Sequence, residues 1–182
     1  MESFVSICLG VALSAACGFR VFVPALFLSV AARTGHVTLS PGFGWMAGTP
    51  ALVTFAVATV LEIGAYWIPW LDHLLDTIAT PAAVVAGIVM TASVLTGLDP
   101  TLKWALALIA GGGAAGSIQA LTVGARALSL GTTGGLANPI VSTLEAGGAA
   151  VLSALAVLVP ILAFLLFLGT ALFLASRLLR KA

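Results

Sequence analysis

The chain has 182 residues, of which 61% are hydrophobic and only 7% charged, where an ordinary soluble domain carries about 25% charged residues. So few charges cannot solvate a globular surface, which together with a mean hydropathy of +1.22 excludes a soluble enzyme, a disordered chain and a nucleic-acid binder. The seven Lys/Arg and six Asp/Glu nearly cancel, so the position of each charge carries the information, and the chain reads as one all-α integral-membrane domain over 1–182.

A helix crosses the hydrocarbon core with about 20 apolar residues, and five stretches qualify. The first, 3–32, is interrupted by Gly18-Phe19-Arg20 and by Pro24, which predicts strong tilt or a break near its middle. Its Cys8 and Cys17 are expected to be small packing residues. Ser14-Ala15-Ala16-Cys17 loosely resembles a lipoprotein cleavage site, but the only charge ahead of it is Glu2, so 3–17 is assigned to the mature membrane domain. A turn-rich connection over 34–50 ends in Thr49-Pro50, read as a helix cap and first helical residue. The second stretch, 51–68, carries Glu62. Asp72 and Asp76 follow on one helical face, fitting either a solvated interfacial helix or a cation or proton site.

The third stretch is 78–98 and the fourth is 102–125. Gly111 to Gly116 in the fourth is a small-residue surface suited to close packing, and it is the expected contact of a homo-oligomer. A second Gly-rich break over 131–139 ends in Asn138-Pro139. The fifth stretch, 139–176, holds Glu145, Gly147-Gly148 and Pro160, so a half-helix or re-entrant piece is expected before the true span. The bundle therefore has five to six membrane segments. Trp45, Trp67, Trp70 and Trp104 all fall at span ends, where amphipathic rings prefer the interface.

With five crossings, Arg33, Lys103, Arg177, Arg180 and Lys181 fall on one side, and among the loop and tail cations only Arg126 opposes them. The positive-inside rule then puts the N-terminus outside and the C-terminus in the cytoplasm. The two Gly-rich breaks, each followed by a capped helix with one glutamate, suggest halves 1–98 and 102–182 of opposite topology, the inverted-repeat plan of many transporters.

Arg20, Glu62, Arg126 and Glu145 are expected at membrane depth, where a charge at a helix centre costs roughly 2.5 to 3.5 kcal/mol. Such groups either pair into buried bridges that only fix packing or line a polar path with fixed cations and titratable acids. Thr133, Asn138 and Ser142 join the second reading, because a Gly-rich break opening a helix exposes backbone N–H groups that favour anions. The run lacks the Lys of a phosphate-binding loop, and no cofactor or metal is expected.

Gly18-Phe19-Arg20-Val21-Phe22-Val23-Pro24, Leu61-Glu62 with Pro69, Asp72 and Asp76, and Arg126 with the run from Thr133 to Glu145 together resemble DUF4126, a bacterial membrane family of unknown function. The resemblance covers nearly the whole chain, implies a bacterial inner membrane and brings no substrate. Tyr66-Trp67 stand where the family pattern has a charged pair, and Ala146 where it has an Asp, which weighs against a metal or multi-carboxylate site.

The reading is a small transporter or channel, not an enzyme. An unidentified small solute or ion would cross the bilayer between two inverted halves, through a path of Arg20, Glu62, Arg126, Thr133, Asn138, Ser142 and Glu145, with Asp72 and Asp76 as secondary candidates. The alternative is a structural or accessory membrane protein without transport of its own.

Overall fold

A computed structural model describes residues 2–66 and 68–180, and the side chains at 2, 69–76, 178 and 179 lie outside that description. Among the described residues the chain is helical throughout: α1 (Glu2–Cys17), α2 (Phe22–Arg33), a 3₁₀ turn (Gly44–Ala47), α3 (Thr49–Ala65), α4 (Pro69–Val94), α5 (Pro100–Leu106), a π segment (Ala107–Gly112), α6 (Gly113–Thr133), α7 (Asn138–Leu158) and α8 (Pro160–Leu179). Four helical stretches are long and apolar enough to cross a membrane: Thr77–Val94, the continuous Pro100–Thr133, Asn138–Leu158 and Pro160–Arg177. This is an integral-membrane helical bundle.

The predicted break in the first stretch is present, and it reverses the chain. Beyond the end of α2, His36 and Val37 line a cavity together with Val5, Ser6 and Leu9 from the start of α1. α1 and α2 therefore form a hairpin whose tip is Gly18 to Val21. The long final stretch breaks at Pro160, whose ring removes a backbone donor, so α7 and α8 are separate helices.

α1 is the central element, packed by α2, α4, α6, α7 and α8. Its run from Cys8 to Gly18 is wholly buried and made mostly of small residues, which lets neighbouring backbones come close. Cys8 and Cys17 are free and buried there. Ser14 donates to the Gly87 carbonyl at 2.5 Å and meets Thr91 Oγ1 at 2.7 Å, tying α1 to α4. A Cβ on Gly87 would lie 2.6 Å from the Ala115 Cβ. The expected oligomer surface at Gly111 to Gly116 is thus corrected: Gly111 and Gly112 are buried and, with Gly116, pack against Val84, Gly87, Ile88 and Thr91 of α4 in the same chain.

The same end of the bundle that holds the start of α1 also holds Arg33, whose Nη1 donates to Thr49 Oγ1 at 2.8 Å. Lys103 joins them, its Nζ donating to Ser40 Oγ at 3.1 Å, while the Ser40 amide reaches the Ser93 carbonyl at 2.7 Å. Val157 and Pro160 line the same cavity as Val5, so α8 starts at this end and carries Arg177 to the other. The expected grouping of Arg33 and Lys103 with Arg177 and Arg180 is therefore corrected, because the α1–α2 hairpin returns Arg33 to the N-terminal side.

The expected caps are also shifted by one residue. α3 and α7 start at Thr49 and Asn138 themselves, with Gly48 and Ala137 in the cap positions and no side-chain cap bond at either end. The α6–α7 turn is made by Gly134 (φ 62°) and Gly135 (φ 87°), both in the left-handed region that residues with a Cβ avoid. Trp45 and Trp104 are exposed as interface residues should be, and Trp67 and the Trp70 side chain lie outside the described residues.

Candidate functional site

Arg20 sits at the tip of the α1–α2 hairpin, its amide still bonded to the Ala16 carbonyl at 3.1 Å, so the last turn of α1 fixes where the side chain starts. The side chain is only 1% exposed. It points into α7, where Nη2 donates to the Ser142 carbonyl at 3.0 Å and to Ser142 Oγ at 2.7 Å, and lies 3.2 Å from Glu145 Oε2. Arg126 of α6 reaches the same carboxylate, with Nε donating to Glu145 Oε1 at 3.2 Å and Nη2 to Oε2. One buried carboxylate is thus shared by two guanidiniums from different halves of the chain.

The α6–α7 hairpin explains the register. Glu145 is the eighth residue of α7, about 10 Å along the axis from the helix start at 1.5 Å per residue, and Arg126 lies the same number of residues before the end of α6. The cluster therefore sits about two turns from the α6–α7 turn on both helices.

Tyr66 completes it. The guanidinium carbons of Arg20 and Arg126 lie 3.9 Å and 4.2 Å from the centroid of its ring, within the range where a ring quadrupole attracts a cation. Tyr66 is the chain's single tyrosine and follows Glu62 by four residues at the end of α3, so both face the hairpin tip. That spacing was available in the sequence. Its role has no mark in the sequence, because an aromatic at a helix end is most often an interface residue.

Glu62 does something other than pair with an arginine. Its Oε1 accepts from the Val21 amide at 2.8 Å and its Oε2 from the Phe22 amide at 3.1 Å. It caps α2 from another helix, using the free amides and positive end of the dipole that no local side chain serves. Where buried Arg–Glu bridges were one of the two readings of these four charges, the structure has Glu145 shared by two arginines and Glu62 capping α2.

Asn138 and Ser142 are both buried on α7, and Ser142 joins the cluster directly. Thr133 does not: it is exposed, donates to the Ser129 carbonyl at 2.8 Å and accepts from the Ala137 amide at 3.2 Å, which makes it part of the turn. Asp72 and Asp76 lie on the helical backbone of α4, and their side chains fall outside the described residues. Beside the cluster, Glu62, Tyr66, Val21, Phe22, Leu61 and Ile78 help to line a cavity of about 410 Å³ between α2, α3 and α4.

The fold and this cluster define a polytopic helical membrane protein in which the α1–α2 hairpin tip, α6 and α7 meet on buried, paired charges. The family profile described as "Domain of unknown function (DUF4126)" matches residues 7–181. The chain belongs to the DUF4126 family. No curated protein and no solved structure matches it.

Proposed function

We propose that the protein is a small membrane transporter or channel, without enzymatic activity of its own, that moves a small solute or ion through the Arg20, Arg126 and Glu145 cluster. The observation that carries this reading is the placement of two arginines and one glutamate, all at least nine-tenths buried, where the two halves meet. Replacing such a triad by apolar residues is often neutral or stabilising, so packing alone is a weak reason to keep it. Ionisable groups inside a membrane bundle commonly mark a solute or proton path.

The directions of the helices support an inverted plan. α3 runs from the Arg33 end towards the hairpin tip, whereas α7 runs from the cluster towards that end, so α2–α3–α4 and α6–α7–α8 run in opposite senses. The functional unit is read as a homo-oligomer in the lipid bilayer, binding no nucleic acid, with its contact on a surface other than Gly111 to Gly116. The C-terminus is assigned to the cytoplasm on the strength of Arg177, Arg180 and Lys181, and the bilayer is read as a bacterial inner membrane from the family resemblance alone.

The test is flux into vesicles reconstituted with the purified protein, using chloride, nitrate, formate, sodium and potassium in turn, followed by ion-sensitive dyes. A protein-dependent flux of at least one of them is expected. If none exceeds that of protein-free vesicles, and small polar solutes also fail to enter, the reading falls to that of an accessory membrane protein.

A further inference from the structure

The face that α7 buries consists of Asn138, Ser142, Glu145, Ala149, Ser153 and Ala156, a stripe at helical spacing on a helix that packs against α1 and α2. Beyond Glu145 it holds nothing larger than alanine or serine. Such a stripe alone means no more than close packing. Ser153 is the exception within it. The residue is 0% exposed, and its Oγ has no hydrogen-bond partner among the described residues. Other helical hydroxyls turn back onto their own helix, as those of Thr143, Thr170 and Ser176 do to the Pro139, Leu166 and Phe173 carbonyls. A buried hydroxyl without a partner costs free energy that an alanine in its place would not, so packing does not account for it.

The stripe leads to the cavity at the Arg33 end of the bundle, about 480 Å³ in volume, whose wall includes Val157 of α7. The lining passes from His36 and Thr38, which are exposed, to Leu9 and Val94, which are 6% and 1% exposed, so the cavity reaches from the surface into the bundle. Val157 follows Ser153 by four residues, one turn or about 6 Å along the axis, and Glu145 precedes it by eight, about 12 Å the other way. Ser153 therefore stands between the cavity and the charged cluster. Ala149 and Ala156, both 0% exposed, close the stripe in this structure, and parting alanines from their neighbours uncovers less apolar surface than parting leucines. Between the cluster and the cavity, α1 from Cys8 to Cys17, α2 from Phe22 to Ala32 and α7 from Ala146 to Leu158 carry no charged side chain. A multiply charged ion would meet no counter-charge there, whereas a hydroxyl serves water or a small polar solute.

We infer that this cavity is a mouth of the solute path and that Ser153 is the first internal contact behind it, for water and for a small polar solute carrying at most one charge that moves along the α7 stripe towards Ser142. The inference rests on the transport reading above and adds to it a direction, from the cluster to the His36 end, and a limit on the charge of the solute.

The test is modification of single cysteines by a membrane-impermeant, singly charged methanethiosulfonate, in oriented vesicles and in a background with Cys8 and Cys17 replaced by alanine. Val157→Cys, in the cavity wall, should react from the His36 side. Ser153→Cys, which exchanges one atom for another, should react progressively from the same side and at least about tenfold faster than Ala83→Cys, an equally buried position on α4. Modified Ser153→Cys should pass the transported ion at least about tenfold more slowly than the unmodified protein, and sulfate should cross more slowly than chloride or formate. Reaction of Ser153→Cys from the opposite side alone, or no faster than that of Ala83→Cys, would overturn the inference, and so would sulfate crossing faster than every monovalent ion. Flux that persists with Ser153→Cys unreactive, or unchanged after its modification, would refute this inference and leave the transport reading standing. Reaction of Ser153→Cys from the His36 side in a protein that passes no solute would keep the water-accessible mouth and refute the transport reading.

Discussion

Glu145→Gln is the sharpest perturbation of the cluster. The carboxylate lies 3.2 Å from Arg20 Nη2 and 3.2 Å from Arg126 Nε, and at an effective dielectric constant near 20 a unit-charge pair at that separation is worth about 5 kcal/mol. Desolvation offsets much of this attraction, and measured losses on breaking buried pairs are about 3 to 5 kcal/mol. For a chain of this size, 1 kcal/mol moves the unfolding temperature by about 2 to 4 °C, so a drop of roughly 6 to 20 °C is expected. Tryptophan fluorescence during heating in detergent measures it. In a double-mutant cycle, Arg126→Gln with Glu145→Gln should be less damaging than the sum of the two. A Glu145→Gln protein that unfolds within about 2 °C of wild type, or strictly additive losses, would refute the reasoning.

Glu62→Ala leaves the Val21 and Phe22 amides without their acceptors and should cost about 1 to 2 kcal/mol, the usual loss of a helix cap, read by the same thermal assay. Gly87→Ala puts a Cβ 2.6 Å from that of Ala115 and should destabilise by about 1 to 3 kcal/mol as overpacking does, whereas Gly113→Ala, with nothing within 4 Å, should change stability by less than about 1 kcal/mol. Membrane-impermeant thiol labelling of Arg33→Cys, Lys103→Cys and Arg177→Cys should mark the first two from one side of oriented vesicles and the third from the other. Labelling of all three from one side would contradict the α1–α2 hairpin.

The apolar runs made the membrane bundle legible, and the cost of burying Arg20, Arg126 and Glu145 singled out the residues that meet. What the sequence left open has physical causes. Gly18 and Pro24 announce a break, but whether the chain tilts or turns back depends on long-range packing of α1 and α2, which local propensity does not encode. That one reversal moved Arg33 to the other end and undid the apparent charge bias. Gly111 to Gly116 was readable as a close-packing face, yet a stripe of small residues does not say whether its partner is α4 or a second molecule. Glu62 was found by its charge and misassigned in role, since its partners are backbone amides that carry no signature in the sequence. Tyr66 carries no such mark, because a ring that binds cations looks, letter by letter, like any interfacial aromatic.

Ser142 offers the most direct probe of whether the buried cluster is a solute path. It is 1% exposed and bonded to Arg20, so a thiol in its place reacts with a water-soluble, membrane-impermeant reagent only if the cluster opens to water. In a background with Cys8 and Cys17 replaced by alanine, Ser142→Cys should be modified progressively from at least one side of the membrane, and a ligand of the site should slow the reaction. If Ser142→Cys stays unmodified from both sides, while Arg177→Cys in the same background reacts fully, the cluster is sealed packing and the transport reading is wrong.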